Sequence, residues 1–375
     1  VRLFLVAGEP SGDRLGAALM DGLRALAPGI GIEGIGGPEM TARGLRSLFP
    51  MEELSVMGLA EVLPRLPRLL RRRDETVAAV ARAAPDALVT IDSPDFCLRV
   101  AARAKASRPG LRTIHYVAPS VWAWRPGRAE RMARSIDHVL ALLPFEPPFM
   151  EAAGMGCDFV GHPVVAERRA SEAEAAAFAA RLPGAGPVVL VLPGSRAGEV
   201  RRHLPVFGEA LRGLPQDTRV VVPVVPHLGA TVRAGVRAWP RPATVVEGAD
   251  KRAAFAAADA ALAASGTVSL ELAANGVPMV IAYDMAWITR QIVARMLRVD
   301  TVTLVNLVGE TRAVPEFLGP ACRPGPIGAA LANLLAGGGE AQRSALALTM
   351  ARLGAGGEPP GVRAARAVLR VAGLS

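Results

Sequence analysis

Short apolar runs recur along the chain at 3–7, 31–35, 87–91, 113–117 and 139–143. After a break they resume at 188–192, 219–224, 243–246, 260–263 and 279–282. Each is about five residues long, and most are flanked by Gly, Pro or Asp. Continuous apolarity over so short a length predicts strands buried on both faces. Between the runs lie segments with helical spacing, as at 14–26, 95–106 and 267–274. The alternation predicts βα units and parallel sheets, an α/β fold.

The strand–helix count restarts after Val160-Gly161-His162-Pro163-Val164, an Ala/Glu-rich stretch at 166–181 and Leu182-Pro183-Gly184. A linker at about 161–170 follows, between two doubly wound, Rossmann-like domains, 1–165 and 166–354, facing each other across a cleft. The tail at 340–369 reads as two amphipathic helices, and the segment from about 355 to 375 packs back on the first domain. Ligands of doubly wound sheets bind at the carboxyl ends of the strands, so the loops after the strands are where chemistry is sought.

Composition narrows this picture. Of 375 residues, 51% are hydrophobic and 21% charged, which excludes a disordered chain. Aromatics are only 4%, so Ala, Val and Leu must fill the cores. The net charge of +9 is carried almost wholly by arginine. It fits either G+C-rich coding or an anionic partner, whether phosphate, nucleic acid or an acidic membrane. The arginines are spread along the chain, which argues against nucleic acid. Cys97, Cys157 and Cys322 lack metal-ligand spacing and read as buried hydrophobes in a reducing compartment. The five histidines form no metal motif, and His162 reads as structural. No secretory signal and no spanning run is visible, so a cytoplasmic protein that at most touches a membrane is expected.

Six segments carry candidate chemistry. The first is Val6-Ala7-Gly8-Glu9-Pro10-Ser11-Gly12-Asp13. Gly8 and Gly12 permit a tight turn and close approach of a ligand, and Ser11 or Asp13 can cap the next helix. Glu9 is a carboxylate at a strand's end; a plain strand-to-helix turn is the competing reading. The second is Thr90-Ile91-Asp92-Ser93-Pro94-Asp95-Phe96. Pro94 fits a first helical turn and Asp95 serves its N-terminus. Asp92 is then available as a general base for a sugar hydroxyl, unless both aspartates are caps. The third, 116–128, holds Trp122 and Trp124 beside Arg125 and Arg128. It reads as a surface for a sugar ring or acyl chains, or as a packed loop. The fourth and fifth are Pro193-Gly194-Ser195-Arg196 and Ser265-Gly266-Thr267, each a small-residue turn opening a helix. Both suit phosphate oxygens, with Arg196 as a diphosphate clamp and Glu271 as a ribose acceptor. Capped turns are the alternative. The sixth, 55–73, sets apolar positions 59, 62, 63, 66, 69 and 70 against Arg65, Arg68 and Arg72. It reads as a basic amphipathic segment for an anionic membrane or as an ordinary core-facing helix; Pro64 and Pro67 argue against one unbroken helix.

These segments, together with Gly34-Ile35-Gly36-Gly37-Pro38, Val160-Gly161-His162-Pro163 and Asn306, resemble the lipid-A-disaccharide synthase family in order and content. The stretch 116–128 is the most specific. The resemblance implies a GT-B fold and an inverting transfer that needs no cofactor or metal. The donor would be a UDP-2,3-diacylglucosamine and the acceptor a 2,3-diacylglucosamine 1-phosphate. The product would be the β-1,6-linked disaccharide 1-phosphate precursor of lipid A, with UDP released. Position by position, it implies Asp92 as base and Glu9 as a supporting or acceptor-side carboxylate. Gly194, Ser195, Arg196, Ser265, Gly266, Thr267, Glu271 and Asn306 would hold the donor. Ser11, Met57, Leu59, Val62, Leu66, Trp122, Trp124 and Arg125 would lie on the acceptor and lipid side. An anionic inner-membrane surface and a homodimer with exchanged C-terminal segments are further implications. The chain departs from the family at Asp284, where a basic residue is usual, and at Gly309-Glu310-Thr311-Arg312. The competing assignments are another UDP-N-acetylglucosamine-type enzyme of this fold, transferase or 2-epimerase, and a non-catalytic lipid or UDP-sugar binding protein.

Overall fold

The computed structural model describes residues 1–54, 59–122, 127–285 and 299–374, without the side chains of 59–65. The chain divides into two compact units, residues 1–166 with 356–375, and residues 167–355.

Unit 1 runs β1 (Arg2–Ala7), α1 (Pro10–Leu26), β2 (Gly31–Ile35), α2 (Pro38–Ala42), α3 (Leu59–Ala83), β3 (Ala87–Ile91), α4 (Pro94–Ser107), β4 (Arg112–Tyr116), α5 (Gly127–Ala133), β5 (His138–Ala141), α6 (Pro147–Ala152) and β6 (Gly156–Phe159). Its strands are all parallel, in the order β2-β1-β3-β4-β5-β6. Unit 2 runs α7 (Glu172–Arg181), β7 (Val188–Leu192), α8 (Ala197–Ala210), β8 (Arg219–Pro223), α9 (Gly229–Val236), β9 (Ala243–Val246), α10 (Asp250–Ala256), β10 (Ala260–Ala263), α11 (Val268–Ala274), β11 (Met279–Tyr283), α12 (Leu304–Gly309), β12 (Glu316–Leu318), α13 (Pro324–Asn333) and α14 (Glu340–Arg352). Its strand order is β12-β11-β10-β7-β8-β9, again parallel. The last helix, α15 (Pro360–Ala372), belongs to unit 1.

The ten apolar runs all form strands, because helices cover both faces of each sheet and leave β3 and β7 fully buried. The edge strands β6 and β12 escape the sequence reading. They are short and half-buried, so no apolar run marks them. β5 ends at Ala141, two residues before the apolar run does. The amides of Leu142 and Leu143 go instead to the Glu146 carboxylate, at 3.1 and 2.9 Å.

Other expectations are corrected. Neither Ser11 nor Asp13 caps α1, which starts at Pro10 without a side-chain cap. Asp13 is buried and accepts from Gly37 N (2.8 Å), Glu39 N (2.9 Å) and Met40 N (3.0 Å), so it caps α2 from across the unit. Helix α3 is unbroken through Pro64 and Pro67. Each lacks an N–H, so the bonds to residues 60 and 63 are forgone, and the helix nevertheless runs on to Ala83. Arg72 is not free for a membrane. Its guanidinium grips Glu53 at 2.9 and 2.7 Å and Glu75 at 2.6 Å, over the Phe49 ring. Of the two tail helices only α15 has an apolar face, with Ala364, Ala365, Val368, Leu369 and Ala372 buried; α14 buries Gln342, Leu346 and Thr349. Gln342 bonds both backbone groups of Met279 and so fixes α14 to β11.

α15 is held against α1 by backbone contact. A Cβ on Gly22 would stand 2.5 Å from Gly361 O, and one on Gly361 would stand 2.5 Å from Ala18 O. Gly22→Val is therefore expected to destabilise unit 1 by about 1–3 kcal/mol, since backbone cannot yield as a side-chain tip can. Gly110, with no atom within 4 Å of its added Cβ, is the control. Thermal melting of both variants reads the effect; a Gly22→Val midpoint equal to wild type would show that the helices are not in close contact.

Candidate functional site

In unit 1 the chain leaves β1 toward β2 on one side and finds β3 on the other, the point where doubly wound sheets open a crevice. The register sets Ala7 opposite Ile91, so the two following loops adjoin. Ser11 Oγ donates to Asp92 Oδ2 at 2.6 Å, a short charge-assisted bond. Ser93 N donates to Asp92 Oδ1 at 3.0 Å, and Ser93 Oγ donates to Glu9 Oε1 at 3.1 Å. Glu9, Ser11 and Asp92 thus form one hydrogen-bonded cluster, through Ser93, which the sequence reading did not single out. The added Cβ of Gly8 would lie 2.7 Å from Ser93 Oγ, so its bareness admits Ser93.

The backbone here is strained. Asp92 (φ 54°), Ser93 (φ 42°) and Val117 (φ 91°) all adopt left-handed conformations, at about 1–3 kcal/mol each. They sit at the carboxyl ends of adjacent strands, anchored by Asp92 N to Tyr116 O (2.9 Å) and Val117 N to Leu140 O (3.0 Å). The N-cap of α4 is Ser93, whose side chain makes no capping bond, and Asp95 is exposed in the first turn. Asp92 accepts only from Ser11 and Ser93 among the described residues, so it is not a cap.

Trp122 packs edge-on to Phe145, with centroids 5.1 Å apart, and its Nε1 donates to Glu146 Oε1 at 3.4 Å. Glu146 is buried, and desolvation pushes its carboxyl up to about 7 against three donated hydrogen bonds. Met57, Trp124 and Arg125 lie outside the described residues; Leu59 and Val62 fall on α3, with side chains outside the description. Leu66 is exposed.

In unit 2 the same topology operates between β7 and β10. Ala263 pairs with Leu192, and Ala264 N donates to Leu192 O at 2.8 Å. Their loops share a cavity of about 430 Å³ lined by Gly194, Ser195, Arg196, Glu199, Ser265, Gly266, Thr267 and Glu271, together with Pro223, Val224, Val225 and Lys251. Gly194 is left-handed (φ 125°), and its added Cβ would meet Glu199 Oε2 at 2.7 Å. Glu199 accepts from Ser195 N (3.2 Å), Arg196 N (3.3 Å), the Arg196 guanidinium (3.0 Å) and Tyr283 OH (3.2 Å). It shapes the loop and fixes one edge of the Arg196 guanidinium, whose side chain is otherwise 69% exposed.

Asn306 does not join this group. It is fully buried, donates to Val314 O (2.9 Å) and accepts from Val314 N (3.1 Å), so it locks the loop after α12. The departures nearby are also engaged internally. Arg312 pairs with Asp300, Glu310 with Arg352, and Thr311 N donates to Asn306 O. At Asp284 the backbone N donates to His203 Nε2 at 3.0 Å, so His203 Nδ1 carries the proton and donates to Pro193 O at 2.8 Å. His203 braces β11 against the Gly194 loop. The signal for it was periodicity: it shares the buried face of α8 with Val200, Leu204 and Phe207. His162 is structural, its Nδ1 accepting from Val164 N at 3.2 Å.

The Glu146 carboxyl yields a pH prediction. Its folded value, about 7, exceeds the ordinary 4.5. Its contribution is therefore most favourable below 4.5 and is lost as pH rises through 7. Relative to Glu146→Gln, the wild-type melting midpoint should fall across that window, by up to ~3 kcal/mol of stability. Parallel pH curves for the two proteins would contradict it.

The fold agrees with that of the known proteins this chain is similar to. The family model described as Lipid-A-disaccharide synthetase matches residues 3–354. A Lipid-A-disaccharide synthase of Ruegeria pomeroyi is 61% identical, over 98% of this chain and 95% of that one. Among solved structures, the glycotransferase of kitacinnamycin superposes with a TM-score of 0.64 at 17% identity, covering 99% of this chain and 98% of the other. A UDP-GlcNAc 2-epimerase from Neisseria meningitidis, bound to UDP-GlcNAc, gives 0.61 at 12% identity, covering 99% of each. Those likenesses establish the two-sheet GT-B architecture. Family-model coverage and the 61% identity together establish that the chain belongs to the lipid-A-disaccharide synthase family.

Proposed function

We propose that the chain is an inverting glycosyltransferase that joins a UDP-2,3-diacylglucosamine to a 2,3-diacylglucosamine 1-phosphate, giving the β-1,6-linked disaccharide 1-phosphate and UDP. The observation that carries this reading is the cavity where Gly194, Ser195, Arg196, Ser265, Gly266 and Thr267 gather with Glu271. Its size suits a nucleoside diphosphate. Hydroxyls and backbone N–H groups receive phosphate oxygens, and Arg196 meets the charge that grows on UDP as it leaves. Glu199 occupies only part of the Arg196 donor set, which has five N–H groups.

Asp92 is the base. It takes the proton of the acceptor 6-hydroxyl while that oxygen attacks the anomeric carbon of the donor. The carbon–oxygen bond to the diphosphate breaks, and UDP departs with the electron pair. Ser11 and the Ser93 amide fix the rotation of the carboxylate, yet each oxygen keeps a lone pair for the incoming proton. Glu9 supports the same turn through Ser93. On this reading no metal or other cofactor takes part, because the guanidinium and N–H donors supply the positive charge. The acyl chains lie along the segment 57–70. Exposed Leu66, Arg68 and Arg71 meet an anionic inner-membrane surface from the cytoplasmic side. Among the described residues no helix is long and apolar enough to cross a membrane.

The test mixes the protein with both lipid substrates in detergent and EDTA. Disaccharide and UDP should appear in equal amounts. Asp92→Asn should slow the reaction by about 10²–10⁴ and leave UDP affinity unchanged. Binding of donor without any disaccharide, or an undiminished Asp92→Asn rate, would refute the proposal.

A further inference from the structure

The lining of the unit 2 cavity has two chemically distinct parts. One is the set of glycine, hydroxyl and arginine groups assigned above to the diphosphate. The other comprises Pro223 at the end of β8, Val224 and Val225 after it, and the Lys251–Glu271 pair. Apolar walls flanking a carboxylate and an ammonium match a heterocycle joined to a diol. The apolar residues cover the ring, and Glu271 accepts from the hydroxyls.

Lys251 stands out for its residue type. The chain has 43 Lys and Arg residues, and only Lys105 and Lys251 are lysines. Lys105 is used internally, on Asp137 and Thr113. Lys251 lines the cavity, its Nζ 2.6 Å from Glu271 Oε2. Its ammonium lies 5.2 Å from the Phe255 ring centroid, which fixes the stem. α10 is itself tied to α7 by Asp250 and Arg181 at 2.7 Å. An ammonium has three donors, and Glu271 uses one. The side chain is 45% exposed, so the others remain open to a ligand.

We propose that Lys251 is a specificity-determining residue of the nucleotide site, orienting Glu271 toward the ribose diol and donating to an acceptor oxygen on the nucleoside. This rests on the donor-site reading above and extends it to a lining residue that reading leaves unassigned. An exposed ion pair adds little to stability, so its loss should not unfold the protein. In this proposal the Lys251 contacts are made alike in the ground and transition states, so their loss raises KM and leaves kcat unchanged.

The experiment is UDP and 2′-deoxy-UDP titration by calorimetry, with steady-state kinetics, on wild type and Lys251→Met. Methionine keeps an apolar stem over Phe255 and removes the charge. UDP affinity should fall about tenfold and donor KM rise to match, with kcat and melting midpoint unchanged. The preference for UDP over its 2′-deoxy analogue should shrink. If wild type binds UDP and the variant matches it in affinity and preference, Lys251 is a surface ion pair and the proposal fails alone. If wild type binds no UDP, the donor-site reading fails and this proposal with it. A drop in kcat with unchanged KM would also overturn it, because the residue would then act on the chemical step.

Discussion

Parallel pairing of β1 with β3, and of β7 with β10, is the constraint on which everything else depends. At each junction the chain crosses to opposite sides of the first strand, and right-handed crossovers then place the connecting helices on opposite faces of the sheet. The register then decides which side chains meet there. Ala7 opposite Ile91 brings Glu9 and Ser11 to Asp92, and Leu192 opposite Ala263 brings Arg196 to Ser265. The residues involved are 81 or more positions apart in unit 1, so only the sheet joins them.

The two junctions are built for different chemistry. In unit 1 the Asp92 carboxylate and the Ser93 hydroxyl are held on a left-handed backbone, whose cost of a few kcal/mol is borne by the fully buried strand β3 that precedes them. Such an arrangement suits proton removal, since the acceptor atom is fixed before substrate arrives. In unit 2 the lining offers cations and hydroxyls, shaped by Glu199 and braced by His203. That suits an anion whose charge rises during the reaction. The arginine-rich composition is mostly spent on neither. Many guanidiniums cap carbonyls or pair locally, as Arg72, Arg219 and Arg241 do.

How much of this could be read beforehand follows from physical range. The inner strands were legible because burial on both faces leaves an uninterrupted apolar run; of the four edge strands β2 and β9 still show one, whereas the short, half-buried β6 and β12 leave none. Loop motifs after strands pointed to Glu9, Asp92, Arg196 and Glu271, since topology restricts where ligands bind. Partnerships between distant residues were not legible. Asp13 resembles a local cap and instead serves α2. Asn306 resembles a donor ligand and instead closes its own loop. Lys251 sits in a helix whose local pattern gives no reason to choose it, and periodicity marks His203 only as one more buried position of α8; the fold alone brings them to Glu271 and Pro193.

The most direct test of the account is amide hydrogen exchange with and without saturating UDP. The account predicts added protection in 193–199 and 264–271, with 8–12 and 91–94 unchanged until acceptor is supplied. Protection by UDP confined to the β1 and β3 loops, or absent from both unit 2 loops, would contradict the assignment of the nucleotide to the β7–β10 junction.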